Sequence, residues 1–284
     1  MDNQSRIVDA LFQTRALRIS PPDEPFFYTS GTIGPYYINT HFLFGSEADA
    51  NELLQMIEEA VRTPGQLTRT IWPRIERQYQ EQETYRLVID ALADLARHLP
   101  CDFISGGERR DFFFSLPVSR LLDLPHVSIL KSGDAWSCPA DDSEDQSLDR
   151  DSLKGQAALH ISDLVTEASS YTRTWIPTIQ NLGARMPDTL TVVDRDQGGG
   201  KTLSDAGTSL HALTVFSPDL FVQALRSDLI TEAQYGKILQ FLEDPNAFQY
   251  GFLREHPDFL DGQIARGGKN ADRARLMKAR FNVD

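Results

Sequence analysis

The sequence predicts an α/β protein in which a parallel sheet is flanked by helices. Three observations carry this expectation. Between residues 101 and 216, the short apolar runs CDFISGGE, HVSILK, QAALHISDLV, TLTVVD and HALTVF alternate with helical stretches. Three of these runs open directly into loops rich in Gly, Ser or Thr, as βα turns do. At 284 residues and 40% apolar composition, the chain has ample material for a large core without metal or disulfide staples.

The elements follow in order. Residues 4–18 form an amphipathic helix through Ile7, Val8, Leu11 and Leu17. Residues 26–44 turn aromatic and β-branched, with Ser30-Gly31 and Gly34-Pro35 as turn signals, and read as a hairpin or two short strands. Ser46, three residues before Asp49, caps a helix carrying Leu53, Leu54, Ile57, Ala60 and Val61, and Thr63-Pro64-Gly65 breaks it. Further helices are expected over Thr68–Gln82 and Tyr85–His98. In the alternating region, residues 133–153 are polar and acidic and suit a mobile loop, and the helix after the third strand ends at Gly183. From residue 217 onward the pattern is helical throughout: two helices over 217–244, then an aromatic tail closing in the basic run NADRARLMKARF. These shifts divide the chain into a domain over 1–216, with a helical insertion at about 62–84, and a helical C-terminal extension over 217–284.

The net charge of −13 at pH 7 argues against non-specific binding to nucleic acid or to an anionic membrane surface. Any phosphate site must then be a local basic patch. Cys101 and Cys138 are too few for a disulfide framework, and no Cys/His cluster has zinc spacing, so no metal ligands are assigned. Neither a secretory h-region nor a run of roughly 20 apolar residues occurs, and a cytoplasmic protein is expected.

Four loops carry chemistry. In the first, Gly106, Gly107 and Glu108 place backbone N–H groups at a helix start, with Arg109 and Arg110 beside them; an anion fits there, although a strand–turn–helix corner with solvated charges has the same pattern. In the second, an apolar strand ends in Asp163 and is followed by Thr166, Ser169 and Ser170, hydroxyls that suit a monophosphate or a helix cap. In the third, Asp194-Arg195-Asp196-Gln197-Gly198-Gly199 offers a guanidinium fork for a carboxylate or a pyrimidine face, or a plain surface charge network. In the fourth, Tyr37 and Asn39 follow Ser30-Gly31-Thr32-Ile33-Gly34-Pro35, giving aromatic planes and an amide near a turn, or hairpin core. His160, inside an apolar strand, reads as a satisfied core residue. Trp72, Trp175 and Phe112–Phe114 read as core or interface.

In this order and spacing the four loops resemble those of the orotate phosphoribosyltransferase family. The resemblance covers residues 5–216, with Asp-Arg-Asp-Gln-Gly-Gly its most specific segment. It implies the phosphoribosyltransferase-type parallel sheet, an N-terminal hood, a homodimer, and Mg²⁺ bound mainly through phosphoribosyl diphosphate. The implied reaction transfers the phosphoribosyl group to orotate, giving orotidine monophosphate and diphosphate. Diphosphate would be held by Gly106, Gly107, Glu108, Arg109, Arg110 and Lys131. Asp163, the catalytic carboxylate the resemblance implies, would hold the ribose hydroxyls. Thr166, Ser169 and Ser170 would hold the 5-phosphate, and Tyr37, Asn39 and Arg195 the orotate.

Several positions depart from the family pattern. Ser162 replaces the first of two acids, Ala168 replaces a glycine, Glu167 places a negative charge where a phosphate approaches, and Thr29 replaces a lysine. The stretch after Lys131, which matches the family's mobile catalytic loop, lacks that loop's Lys and His. These departures keep open a non-catalytic relative that binds a nucleotide, a nucleobase or a protein partner, and a transferase with another acceptor base.

Overall fold

The computed structural model describes residues 3–138 and 144–281, and these divide into two compact units. The first comprises residues up to Ala16 and Asn39–Phe216; the second comprises Leu17–Ile38 and the chain from Ser217.

In chain order the strands are β1 (Leu17–Ile19), β2 (Phe26–Phe27), β3 (Ile33–Gly34), β4 (Tyr36–Ile38), β5 (Phe103–Gly107), β6 (His126–Ile129), β7 (Ala135–Cys138), β8 (Gln146–Ser147), β9 (Ala157–Val165), β10 (Arg185–Asp194) and β11 (Ser209–Val215). The helices are α1 (Asn3–Gln13), α2 (Glu47–Ala60), α3 (Leu67–Glu81), α4 (Glu83–Ala96), α5 (Phe112–Leu121), α6 (Ile176–Asn181), α7 (Gly199–Asp205), α8 (Pro218–Arg226), α9 (Glu232–Glu243), α10 (Pro245–Glu255), α11 (Phe259–Arg266) and α12 (Gly268–Phe281).

The first unit is built on a seven-stranded sheet in the order β11-β10-β9-β5-β6-β7-β8. The five strands from β11 to β6 are parallel, as the alternating pattern predicts. The last two are antiparallel and come from the stretch expected to be a loop. Ala135 and Cys138 are buried there while Trp136 and Ser137 are partly exposed, too short an alternation to stand out against the acidic flanks. The rest of that stretch includes 139–143, which lie outside the described residues.

β5 and β6 are buried throughout and β9 along most of its length, so they read as apolar runs without alternation, whereas the edge strand β11 is partly exposed. Phe103, Val127, Ala158, Tyr171, Ile179 and Leu203 share one core cluster. In a second aromatic group, Phe113 and Tyr85 each meet Phe44 edge-on, at centroid distances of 5.1 and 4.9 Å. Burying each such ring contributes roughly 1.5–3 kcal/mol. Ser46 caps α2 as expected, its Oγ accepting the Asp49 N–H at 3.1 Å. The N-terminal helix stops at Gln13, earlier than its apolar spacing suggests, because Arg15 takes a left-handed backbone (φ 59°) that ends the helix.

In the second unit, β1 pairs with β4 and β2 with β3, both antiparallel. Five helices, rather than two and a tail, follow residue 217. They fold together with the strands of 17–38. The fully buried Tyr36 packs against Phe221 at 5.7 Å and Phe241 at 5.5 Å, and Phe27 stacks on Phe259 at 5.5 Å. The Ile33 N–H donates to the buried Gln249 side chain (3.2 Å), and Gln234 donates to the Ser20 carbonyl (3.1 Å). No helix among the described residues is long and apolar enough to cross a membrane.

His126 on β6 shows how polar groups are kept inside. It is 2% exposed, with Nε2 2.9 Å from Ser115 Oγ and Nδ1 3.2 Å from Ser128 Oγ. Burial first, then Arg120 and His160, pushes its pKa down to about 3. The folded chain keeps it neutral, while the unfolded chain protonates it below pH 6.5. Stability contributed by His126 is therefore complete above pH 6.5 and is lost as pH falls. Thermal unfolding of the wild type and of His126→Gln at pH 7.5 and 5.5 is expected to show an extra loss of about 1.4 kcal/mol in the wild type on acidification.

Candidate functional site

Three of the four chemical loops follow parallel strands of the first unit, and the fourth, up to Ile38, belongs to the second. In open α/β sheets, ligands bind outside the carboxyl ends of such strands. The β5, β9 and β10 loops lie there in the first unit.

Gly106 and Gly107 are the last two residues of β5, not the turn beyond it, and both are buried. Each lacks a side chain for a packing reason. A Cβ at Gly106 would come within 2.2 Å of Ser115 Oγ, and one at Gly107 within 2.3 Å of the Trp175 ring. The expectation of free amides here is corrected at two positions. The Gly107 N–H donates to Asp111 Oδ2 at 2.8 Å, and the Glu108 N–H donates to the Ile129 carbonyl at 2.8 Å. Both groups had to be satisfied once the strand end was buried. The Glu108–Arg109 peptide bond is cis. Two of the three predicted cations are paired: Arg109 with Glu58 on α2, and Lys131 Nζ with Glu108 at 3.3 Å. The Lys131 N–H also donates to Glu108 (3.0 Å), so β6 and the β5 loop are tied at this point.

At the end of β9, Asp163 Oδ2 accepts from Thr40 Oγ1 at 2.8 Å, and the Asp163 N–H donates to Asp111 Oδ1 at 3.1 Å. Burial, then the neighbouring Asp111 carboxylate, pushes the Asp163 pKa up to about 7, against Arg110 and Thr40, which favour the anion. Asp111 also rises to about 7, through burial that outweighs its two backbone N–H bonds and Arg110.

The next residues make a small hollow of about 120 Å³ lined by Leu164–Tyr171 and Trp175. Among the described residues nothing accepts a hydrogen bond from the N–H groups of Glu167 or Ala168. Thr166 is partly exposed, and Ser169 and Ser170 are exposed. Ala168 has φ 57°, a left-handed conformation that favours glycine. Arg173, not singled out from the sequence, donates to the Ser169 carbonyl (Nε, 3.1 Å) and to Ser169 Oγ (Nη2, 3.4 Å). Its position four residues after Ser169 is the helical spacing that could have revealed it. This cation adjoins the loop on which Glu167 places its negative charge. Residues 171–175 form a π-helical turn ahead of Pro177, which has no N–H to continue the regular helix pattern.

The third loop is drawn to the second by backbone bonds. The Arg195 N–H donates to the Val165 carbonyl and the Gly199 N–H to the Thr166 carbonyl, both at 2.9 Å. A Cβ on Gly199 would lie 2.6 Å from the Thr166 carbonyl oxygen, so only glycine permits this approach. Asn39 lies in the same unit, its N–H donating to the Ala16 carbonyl (2.7 Å). Tyr37 belongs to the second unit, where the Arg18 guanidinium covers its ring at 5.4 Å and the Phe26 ring at 5.5 Å. Asp111, Thr40 and Arg18 were likewise not anticipated. Asp111 has the usual signature of a helix cap, which concealed its reach to other strands.

The fold is that of the phosphoribosyltransferases. A UMP synthase of Leishmania donovani superposes with a TM-score of 0.58 at 19% identity, covering 84% of this chain and 42% of that one. An orotate phosphoribosyltransferase of Francisella tularensis gives 0.53 at 15% identity, covering 83% and 96%. This chain thus spans less than half the length of the Leishmania protein. In sequence, it is 29% identical over 162 residues to an orotate phosphoribosyltransferase of Saccharolobus solfataricus, covering 56% of this chain and 77% of the relative. An adenine phosphoribosyltransferase of Aeromonas salmonicida is 27% identical over 177 residues, covering 57% and 95%. No family model matches the chain.

Relieving the left-handed alanine is expected to stabilise the protein. Ala168→Gly should raise the unfolding free energy by up to about 1 kcal/mol, measured by urea denaturation. Arg173→Ala is expected to weaken inorganic phosphate binding, read by calorimetry, while Glu167→Gln strengthens it; unchanged affinity in both would remove this loop as the phosphate site.

Proposed function

We propose that this chain is a phosphoribosyltransferase that moves the 5-phosphoribosyl group of phosphoribosyl diphosphate to N1 of orotate. The C1–oxygen bond to diphosphate breaks, and the C1–N1 bond forms. The observation that carries this reading is the juxtaposition of Asp163 with a loop that offers the Glu167 and Ala168 amides and three hydroxyls at the end of β9, drawn against the Arg195 loop. Thr166, Ser169 and Ser170, with the Glu167 and Ala168 amides, would hold the 5-phosphate. Asp163 would accept from the ribose hydroxyls. Arg110 would face the departing diphosphate; Arg109 and Lys131 would join it on leaving Glu58 and Glu108. Asn39 and Arg195 would orient orotate, the guanidinium meeting its carboxylate.

Negative charge grows on the leaving diphosphate in the transition state, so cations placed there lower the barrier. Mg²⁺, when bound, would add to this stabilisation. The residues present suit a metal that arrives on the substrate's oxygens: both Asp111 oxygens already accept backbone N–H groups, and no group of three His, Cys, Asp or Glu among the described residues could hold an ion.

A second reading has another base as acceptor. It is favoured by the adenine phosphoribosyltransferase relative, 95% of which is covered, and by Thr29 in place of the family's lysine.

Calorimetric titration with phosphoribosyl diphosphate and Mg²⁺, followed by orotate, tests both readings. Heat on the first addition and orotidine monophosphate after the second are expected. Turnover with adenine alone selects the second reading, and no heat rejects transfer altogether. Arg195→Ala should abolish orotate binding with little change in melting temperature. A large fall in melting temperature with orotate binding intact would make Arg195 structural.

A further inference from the structure

Asp111 stands at the N-terminus of α5, where an aspartate ordinarily caps its own helix. Its side chain makes no such cap bond. The carboxylate instead spans two strands. The ladder between β5 and β9 ends at the Ser105–His160 register pair. Beyond it, Oδ2 accepts the Gly107 N–H at 2.8 Å and Oδ1 accepts the Asp163 N–H at 3.1 Å. One oxygen thus serves the loop expected to hold diphosphate, and the other serves the residue expected to hold ribose.

The chemistry of the side chain matters here. A hydroxyl or an amide offers a single acceptor oxygen, whereas a carboxylate offers two that diverge. Burying a charge-bearing group at 3% exposure is unfavourable, and these two bonds offset part of that cost. A second contact chain joins the same two segments. Trp175, on the helical turn after the phosphate loop, covers Gly107 and stacks on His160 at 4.4 Å, and His160 Nδ1 lies 3.0 Å from Ser105 Oγ. His160 Nε2 faces Asp111 Oδ2 at 3.6 Å.

We propose that Asp111 is a positioning residue: it does not touch substrate, but its two oxygens lock Gly107–Arg110 to Asp163–Ser170, so that the diphosphate and ribose contacts are placed together. The role in transfer rests on the phosphoribosyltransferase reading; the lock itself does not.

The test uses the full chain and Asp111→Asn, which keeps the shape but has one acceptor oxygen. Hydrogen exchange is measured on segments 104–111 and 160–170, with β10 as an internal reference. Both segments are expected to lose protection together while β10 does not change. Loosening of one segment alone, or of neither, overturns the lock. In the kinetic arm, kcat is expected to fall by about 10²-fold with the orotate KM unchanged, as a small misplacement of catalytic groups can produce. An unchanged kcat with both segments loosened overturns the role in positioning. Asp111→Glu retains two acceptors but moves them by one methylene, and it is read in the same way if Asp111→Asn does not fold. Should the wild type fail to turn over phosphoribosyl diphosphate, the transfer reading falls, and the exchange arm still decides the lock.

Discussion

Past the Ser105–His160 pair, the two central strands of the sheet no longer bond to each other, yet both run on into the loops that carry the chemistry. Backbone N–H groups stranded in a buried gap are unfavourable by a few kcal/mol each. The Asp111 carboxylate resolves this by accepting from both sides. Much of the site depends on that arrangement. Gly107 must be glycine because Trp175 lies against it, and Trp175 is held by its stack on His160. Ser162 packs as part of the same buried polar layer, its Oγ accepting from Tyr171 at 2.8 Å.

Under the proposed function, an acidic chain has to bind anions locally. With a net charge of −13, no long-range field draws in a phosphate. Attraction must come from short-range donors: open amides, hydroxyls and a few guanidinium groups. Some of these cations already have partners, Arg109 with Glu58 and Lys131 with Glu108. Such pairs on partly exposed groups are individually weak, so in the proposed reaction a diphosphate would compete for them. Arg173, bonded to Ser169, similarly brings positive charge to the loop that carries Glu167. The substitutions that oppose a phosphate in the sequence are thus accompanied by neighbours that sequence order does not display.

The C-terminal helices present a different situation. In the sequence they form an extension with no evident tie to the rest. In the structure they share one core with residues 17–38, through Tyr36, Phe221 and Phe241 and through Gln249 on the Ile33 amide. Strands of two or three residues are not stable alone. An aromatic segment that read as a hairpin in its own right acquires its burial from helices about two hundred residues away in the chain.

Periodicity and local chemistry determined much of this protein. The five parallel strands, the capped α2 and the Asp-Arg-Asp-Gln-Gly loop are legible because burial, capping and tight turns each impose a residue pattern over a few positions. Tertiary structure alone decided the rest. The antiparallel β7 and β8 have too few apolar residues to stand out, and the helical tail after the two expected helices divides into three, whose boundaries depend on packing. Whether Gly106–Glu108 offers free amides, where Arg109 turns, and why Asp111 is an acid depend on groups from other strands and helices. Hydrogen bonds and charges act over a few ångströms in space, and sequence spacing records only those partners that lie within a turn of one another.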